Sequence, residues 1–156
     1  LEIETILNKV HDFQLDYVQL HGAESPEYCT EILTLWQMGS MRSAELIKAF
    51  PVDDGFDFSL TRSYEKACRY FLFDTKGDSH GGTGRQFNWD QLKKYKGETP
   101  FLLSGGIGPD DATAVREFQH PQLAGIDLNS RFETEPGVKD IEKLEQFVTL
   151  VKNGSS

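Results

Sequence analysis

Five short, nearly unbroken apolar runs recur along the chain and limit its fold more than any other feature. They are "YVQL" at 17–20, "LIKAF" at 46–50, "YFLFD" at 70–74, "PFLLS" at 100–104 and "AGIDL" at 124–128. Runs of this kind read as strands buried on both faces. Helical spacing fills the intervals. "LEIETILNKVHDF" carries apolar residues at Ile3, Ile6, Leu7 and Val10. "SPEYCTEILTLW" opens with a cap at Ser25, a first-turn proline at Pro26 and an early acid at Glu27, the signature of a helix start. "LTRSYEKAC" and "NWDQLKKY" read as short helices, the second capped by Asn88, and "PDDATAVREF" opens on Pro109 and two acids. "DIEKLEQFVTLVK" aligns Ile141, Leu144, Val148 and Val151 on one face. Strand and helix in alternation predict an α/β fold with a parallel sheet and right-handed crossovers. No linker or low-complexity stretch interrupts the pattern. Residues 1–152 are expected to form one domain, and 153–156, "NGSS", a disordered tail.

Charge and composition narrow the partners. The 156 residues carry a net charge of −9, and no basic stripe exists to release counterions. Nucleic acid and anionic membrane surfaces are therefore not expected partners. A small anion remains compatible, because it responds to local amides and one or two cations. No run of 18 apolar residues is present to span a membrane, and no signal-peptide pattern precedes the first helix, so the expected compartment is the cytoplasm. The two cysteines, Cys29 and Cys68, fall in predicted helices without metal or redox spacing and are expected to be reduced packing residues.

The connections are unequal. Segments leading into strands are plain: "QLD", "KGET", "HPQL". Segments leaving strands are rich in glycine, carboxylates and histidine: "HGAES", "FPVDDGFDF", "DTKGDSHGGTGRQF", "GGIGPDD" and "NSRFETEPGVKD". In a parallel sheet the latter all emerge at the carboxyl ends of the strands, where α/β proteins place their ligands. Three of these segments can present backbone amides to an anion. They are Gly81–Gly82–Thr83–Gly84, Gly105–Gly106–Ile107–Gly108 and Asn129–Ser130. A single Gly-Gly pair is an ordinary turn; three such segments on one rim indicate a phosphate site. Neither a P-loop nor a dinucleotide fingerprint is present.

Asp74 ends the run "YFLFD" and should project from a buried strand end. Desolvation there suits a carboxylic acid to donate a proton near neutral pH. The alternative is that it caps its own loop through the amides of "TKGD". Asp127 either faces inward, to orient an amine or hydroxyl of a ligand, or outward into solvent. His21, at the end of "VQLHG", is either a hydrogen-bonded structural residue or a substrate contact. Arg85 is the cation of the "GGTGR" loop. His11, His80 and His120 show no partner pattern. No zinc spacing and no nucleophile elbow occurs, so no metal is expected.

Taken together, "DYVQLHGAESPEYC", "LIKAF", "FLFDT…GGTGRQFNW", "PFLLSGGIGPDDA" and "GIDLNSRFETEPGVKD" closely resemble the phosphoribosylanthranilate isomerase family of tryptophan biosynthesis. The resemblance runs from Leu1 to about Val151. It implies a (β/α)8 TIM barrel, here a partial barrel of about five strands. It also implies an Amadori rearrangement of N-(5-phosphoribosyl)anthranilate to the 1-deoxyribulose 5-phosphate derivative, with no cofactor. In this chemistry an acid protonates the furanose ring oxygen, and a base then removes the C2 proton from the resulting imine. Asp74 matches the family's general acid. The "GGTG", "SGG" and "NSR" segments, with Gly82, Thr83, Gly84, Gly105, Gly106, Asn129 and Ser130, match the loops around the phosphate and its sugar, and Asp127 matches the last-strand acid on the anthranilate side; His21 and Arg85 are further candidate substrate contacts.

One departure qualifies the match. The family's opening strand, reading like K-I-C-G, carries the general base, and no such motif occurs in these 156 residues. The first helix here resembles the one after the family's third strand. Five strands cannot close an eight-stranded barrel, so the outer strands expose unpaired backbone groups. Self-association through those edges, or pairing with an N-terminal segment, is expected. The chain alone is expected to be inactive. The competing reading is a non-catalytic phosphosugar-binding half-barrel or assembly module, in which Asp74→Asn would be harmless. Another phosphosugar barrel enzyme, such as an epimerase, fits the fourth and fifth strand-end segments less well.

Overall fold

The computed structural model describes residues 2–75 and 88–153. Four helices and seven strands are formed, α1 Ile3–Phe13, β1 Tyr17–Leu20, α2 Pro26–Met38, β2 Glu45–Pro51, β3 Tyr70–Asp74, β4 Phe101–Ser104, α3 Ala112–Glu117, β5 Leu123–Ile126, β6 Glu133–Glu135, β7 Val138–Lys139 and α4 Ile141–Lys152, among the described residues. The first five strands make one parallel sheet in the order β1-β2-β3-β4-β5. Each crossover steps to the adjacent position in the same direction, which is how a section of a β/α barrel is wound. The five strands form an open sheet rather than a closed barrel.

Side chains alternate across the sheet, so each strand has two faces. Leu46 and Phe50, Phe71 and Phe73, and Phe101 and Leu103 share one face and pack with the helices in a single core. Aromatic rings dominate that core. Phe50 meets Phe71 edge-on at 5.3 Å, Phe58 meets Phe73 at 5.3 Å, and Tyr95 meets Phe73 at 5.1 Å. Such edge-to-face pairs add to the area they bury. The Tyr95 hydroxyl keeps a partner in this setting by donating to the Thr99 carbonyl at 2.8 Å. The opposite face carries Leu72, Asp74, Leu102 and Ser104. The parallel register places Pro51, Asp74 and Ser104 at one level.

Helix starts follow the sequence signals. Ser25 Oγ accepts from the Tyr28 amide, and Asp140 caps α4 through the Lys143 amide. Several expectations need correction. "LTRSYEKAC" contributes to a 3₁₀ helix, Phe58–Tyr64, opened by the Asp57 carboxylate on the Ser59 amide. Cys68 therefore lies beyond any helix, in the turn entering β3. "NWDQLKKY" is likewise a 3₁₀ helix, Trp89–Lys94, with Asn88 in the expected capping role. "PDDATAVREF" divides into a 3₁₀ turn, Pro109–Asp111, and the short α3. On α4 the buried residue is Phe147, flanked by half-buried Leu144 and Val151, while Ile141 and Val148 are exposed. The cause is Phe132, whose ring receives Phe147 edge-on at 5.0 Å and rotates the buried stripe. Residues 133–139, read as loop, form the hairpin β6–β7 with a turn at Gly137 (φ 84°). Asn153, assigned to the tail, closes α4 by bonding the Thr149 carbonyl; residues 154–156 lie outside the described residues.

Candidate functional site

Three adjacent strands end in polar side chains at the same height. Asp74 is the last residue of β3, and Ser104, its register partner, the last of β4. Asp127 follows β5 directly, and its amide extends the ladder by bonding the Leu103 carbonyl at 2.8 Å. Thr75 locks the first two ends together. Its amide and its hydroxyl both donate to the Ser104 carbonyl, at 2.9 and 2.8 Å.

The Asp127 carboxylate points inward. Its Oδ2 accepts from Ser104 Oγ at 2.8 Å and from Asn129 Nδ2 at 2.7 Å. Two donors on one oxygen hold the group as an oriented acceptor. Gly105 and Gly106 then turn the chain at φ 114° and 65°. At Gly106 nothing lies within 4 Å of where a Cβ would stand, so the demand for glycine there is conformational. The Arg131 guanidinium crosses this turn. Nη1 donates to the Gly106 carbonyl at 3.1 Å, and a Cβ on Gly108 would meet Nε at 2.7 Å. The Gly108 amide is occupied by Asp111 Oδ2 at 2.7 Å.

These groups enclose a cavity of about 390 Å³, lined by Asp74, Ser104, Gly105, Gly106, Ile107, Asp127, Asn129, Ser130 and Arg131. Six residues predicted from sequence thus converge: Asp74, Asp127, Gly105, Gly106, Asn129 and Ser130. His21 is not among the lining residues; it stands exposed just past β1. Its loop is tied from behind, where Lys48 Nζ donates to the Gly22 carbonyl at 2.9 Å. Gly82, Thr83, Gly84 and Arg85, with His80 and Lys76, lie outside the described residues. Ser104, Ile107 and Arg131 lie within the predicted segments "SGG", "GGIG" and "NSR" but were given no role of their own. Ser104 could have been singled out by its place at a strand end, aligned with Asp74. Among the described residues, no three histidines, cysteines or carboxylates gather to hold a metal ion.

A larger cleft, about 480 Å³, lies elsewhere, between the Phe58–Tyr64 turn and residues 94–98. It mixes Arg62, Lys94 and Lys96 with Asp57, Glu65 and Glu98. No strand end feeds it, so the smaller cavity is the better candidate for chemistry.

A singly wound parallel sheet with two carboxylates and glycine turns at its carboxyl rim defines a β/α-barrel-type protein with a strand-end ligand site. Comparison with known sequences narrows the class. Residues 1–150 match the family described as N-(5'-phosphoribosyl)anthranilate (PRA) isomerase, and the chain belongs to that family. An N-(5'-phosphoribosyl)anthranilate isomerase of Parabacteroides distasonis is 53% identical over 149 residues, covering 96% of this chain and 64% of that protein. The proteins of the same name from Phocaeicola vulgatus and Acaryochloris marina are 42% and 36% identical, covering 96% of this chain in each case and 69% and 66% of their own lengths. The chain thus spans about two thirds of the length of the curated relatives it matches. Among the described residues, no helix is long and apolar enough to cross a membrane.

Proposed function

We propose that this chain supplies the acid and phosphate-binding side of a phosphoribosylanthranilate isomerase. The observation that carries the reading is the single cavity in which Asp74 and Asp127 meet the Gly105–Gly106 and Asn129–Ser130 turns. In this reading the substrate's phosphate rests against those turns, with Arg131 as a nearby cation and the 82–85 loop completing the cradle. The sugar then lies over Asp74, which gives its proton to the furanose ring oxygen as the C1–O bond opens to the imine. Asp127, already held by two donors, orients the anthranilate amine. The proton at C2 is left for a base.

No K-I-C-G motif is present to provide that base. The 156 residues alone are therefore expected to bind a phosphosugar without turning it over. The expected compartment is the cytoplasm, because a charged phosphosugar does not cross a bilayer unaided.

The test supplies the absent portion. The chain joined to the N-terminal third of the Parabacteroides distasonis relative should acquire isomerase turnover in a fluorescence assay of N-(5-phosphoribosyl)anthranilate consumption. Asp74→Asn in that fusion should lower kcat by roughly 100-fold or more with KM little changed. Undiminished kcat would remove Asp74 from the mechanism, and family-level turnover by the chain alone would overturn the division of labour.

A further inference from the structure

The strand-end cavity sets one cation against two acids. Among its described lining residues Arg131 alone is positively charged, while Asp74 and Asp127 border the same space. A phosphate group is itself an anion, so both carboxylates oppose its entry. We propose that Arg131 is the specificity-determining residue of this site: its guanidinium, laid across Gly108, binds the phosphate and makes the cavity select a phosphorylated sugar over the free sugar. The inference rests on the phosphate cradle proposed above and adds the side chain that decides its choice of ligand.

Three observations carry it. First, the backbone of Arg131 is pinned although its side chain is exposed. The neighbouring Phe132 is fully buried and packs edge-on against Phe147 at 5.0 Å. The Phe132 amide donates to the Asn129 carbonyl at 3.0 Å, and its carbonyl accepts the Asp140 amide at 2.7 Å. The stem of Arg131 therefore leaves from a fixed point beside Asn129 and Ser130.

Second, the side chain is aimed and only partly engaged. It runs from the segment after β5 back to the turn after β4, where Nη1 donates to the Gly106 carbonyl at 3.1 Å. Among the described residues that is its one hydrogen bond, and no carboxylate pairs with it. Asp127 is instead engaged by Ser104 and Asn129. The remaining guanidinium N–H groups are left for a ligand. A guanidinium offers a phosphate parallel, charge-assisted hydrogen bonds, which an uncharged sugar hydroxyl cannot match.

Third, Gly108 leaves room for this side chain. Its backbone, φ −122° and ψ 177°, is extended and open to any residue. A Cβ there would meet Arg131 Nε at 2.7 Å, Cζ at 3.0 Å and Cδ at 3.3 Å. An alanine at this position has to displace the guanidinium. Gly106 differs, because its own φ of 65° requires glycine.

The experiment titrates the full chain with ribose 5-phosphate, and with ribose as the uncharged control, by isothermal titration calorimetry. Wild type should bind the phosphosugar at least roughly 10-fold more tightly than ribose. Arg131→Ala should weaken ribose 5-phosphate binding roughly 10- to 100-fold. Arg131→Gln should lose as much, so the result does not depend on one variant folding, and Arg131→Lys, which keeps the charge without the fork, should fall between. Gly108→Ala should weaken phosphosugar binding in wild type and add little in Arg131→Ala, because both changes act on one side chain. Equal affinity of wild type, Arg131→Ala and Arg131→Gln for ribose 5-phosphate would overturn the inference while leaving the cradle in place. A Gly108→Ala effect as large without Arg131 as with it would also overturn it, by making the turn itself the contact. A wild-type chain with no preference for ribose 5-phosphate over ribose would remove the phosphate cradle, and this inference with it.

Discussion

His120 is held as one neutral tautomer. Its Nδ1 accepts the Gln122 amide at 3.0 Å, which leaves Nε2–H to donate to the Tyr95 carbonyl at 3.2 Å. The ring stacks on Tyr95 and meets Phe101 edge-on at 5.0 Å. Burial pushes its pKa below the ordinary value, outweighing the carbonyl bond. A histidine depressed in the fold binds its proton first in the unfolded chain. Its stabilising effect is thus present above the unfolded value, near pH 6.5, and is lost as pH falls through the lower folded value. The stability difference between wild type and His120→Gln, from urea unfolding, should accordingly shrink from pH 7.5 to 5 (about neutral to mildly acid). A constant difference would remove the titration of this ring from the account. Ser104 makes a second residue-scale case. Ser104→Ala removes one of the two donors on Asp127 and should cost about 1 kcal/mol in the same measurement. These residues also show what was legible. Asp74 and Asp127 could be read because a carboxylate at the end of an apolar run has few reasons to be there. Whether Asp127 faced inward depended on the β4–β5 register, which shifts between Phe101 and Leu102. Arg131 was read only as part of the "NSR" segment, because its reach back to Gly106 exists only once the chain has folded.

Elements add a different kind of constraint. Lys48 sits on β2 beneath the loop that follows β1, with its side chain almost wholly buried. It pairs with Glu24 at 3.2 Å, donates to the Gly22 carbonyl at 2.9 Å and lies over the Phe50 and Tyr64 rings. Burial alone would raise the Glu24 carboxyl. Its own amide, Lys48 and the Gly22 amide together outweigh that and lower it. The resulting stabilisation is present above the ordinary glutamate value and fades as pH falls through the depressed one. Lys48→Met leaves the carboxylate without its cation and should destabilise by about 2–4 kcal/mol at pH 7. That loss should diminish as pH falls below the ordinary glutamate value when followed by circular dichroism. On α4, Phe147→Ala should cost about 3–5 kcal/mol and Ile141→Ala about 0.5 kcal/mol or less, the reverse of what helical periodicity alone suggests. The sheet was readable because its strands leave nearly continuous apolar runs, although only β2, β3 and β4 are largely buried while the edge strands β1 and β5 are not. The 3₁₀ helices Phe58–Tyr64 and Trp89–Lys94 were read only as short helices, because so few residues do not separate the 3₁₀ period from the α period. The face of α4 was misjudged because Phe132, its partner, belongs to a segment read as loop.

At the scale of the whole molecule, the sheet has two open sides. Among the described residues only β2 pairs with β1, and only β4 pairs with β5, so each outer strand offers a row of backbone groups that no described strand pairs. Exposed apolar side chains are found at both flanks, among others elsewhere on the surface. Phe13 and Tyr17 are 68% and 47% exposed beside β1, while Ile141, Val148 and Leu150 are 62%, 40% and 55% exposed on α4, which packs against α3 at the other side. Open edges next to uncovered apolar residues favour pairing with another chain. The chain by itself should therefore associate as its concentration rises, with sedimentation velocity showing a growing fraction above monomer mass between about 1 and 100 µM. Ile141→Lys combined with Val148→Lys should weaken that association without unfolding the chain, because neither side chain contributes to the core. If association proceeds through the β1 flank alone, the double variant will match wild type while Tyr17→Lys disperses the oligomer. A strictly monomeric chain across the whole range would mean that twist and side-chain cover protect both edges, and that the exposed apolar residues are too scattered to drive contact.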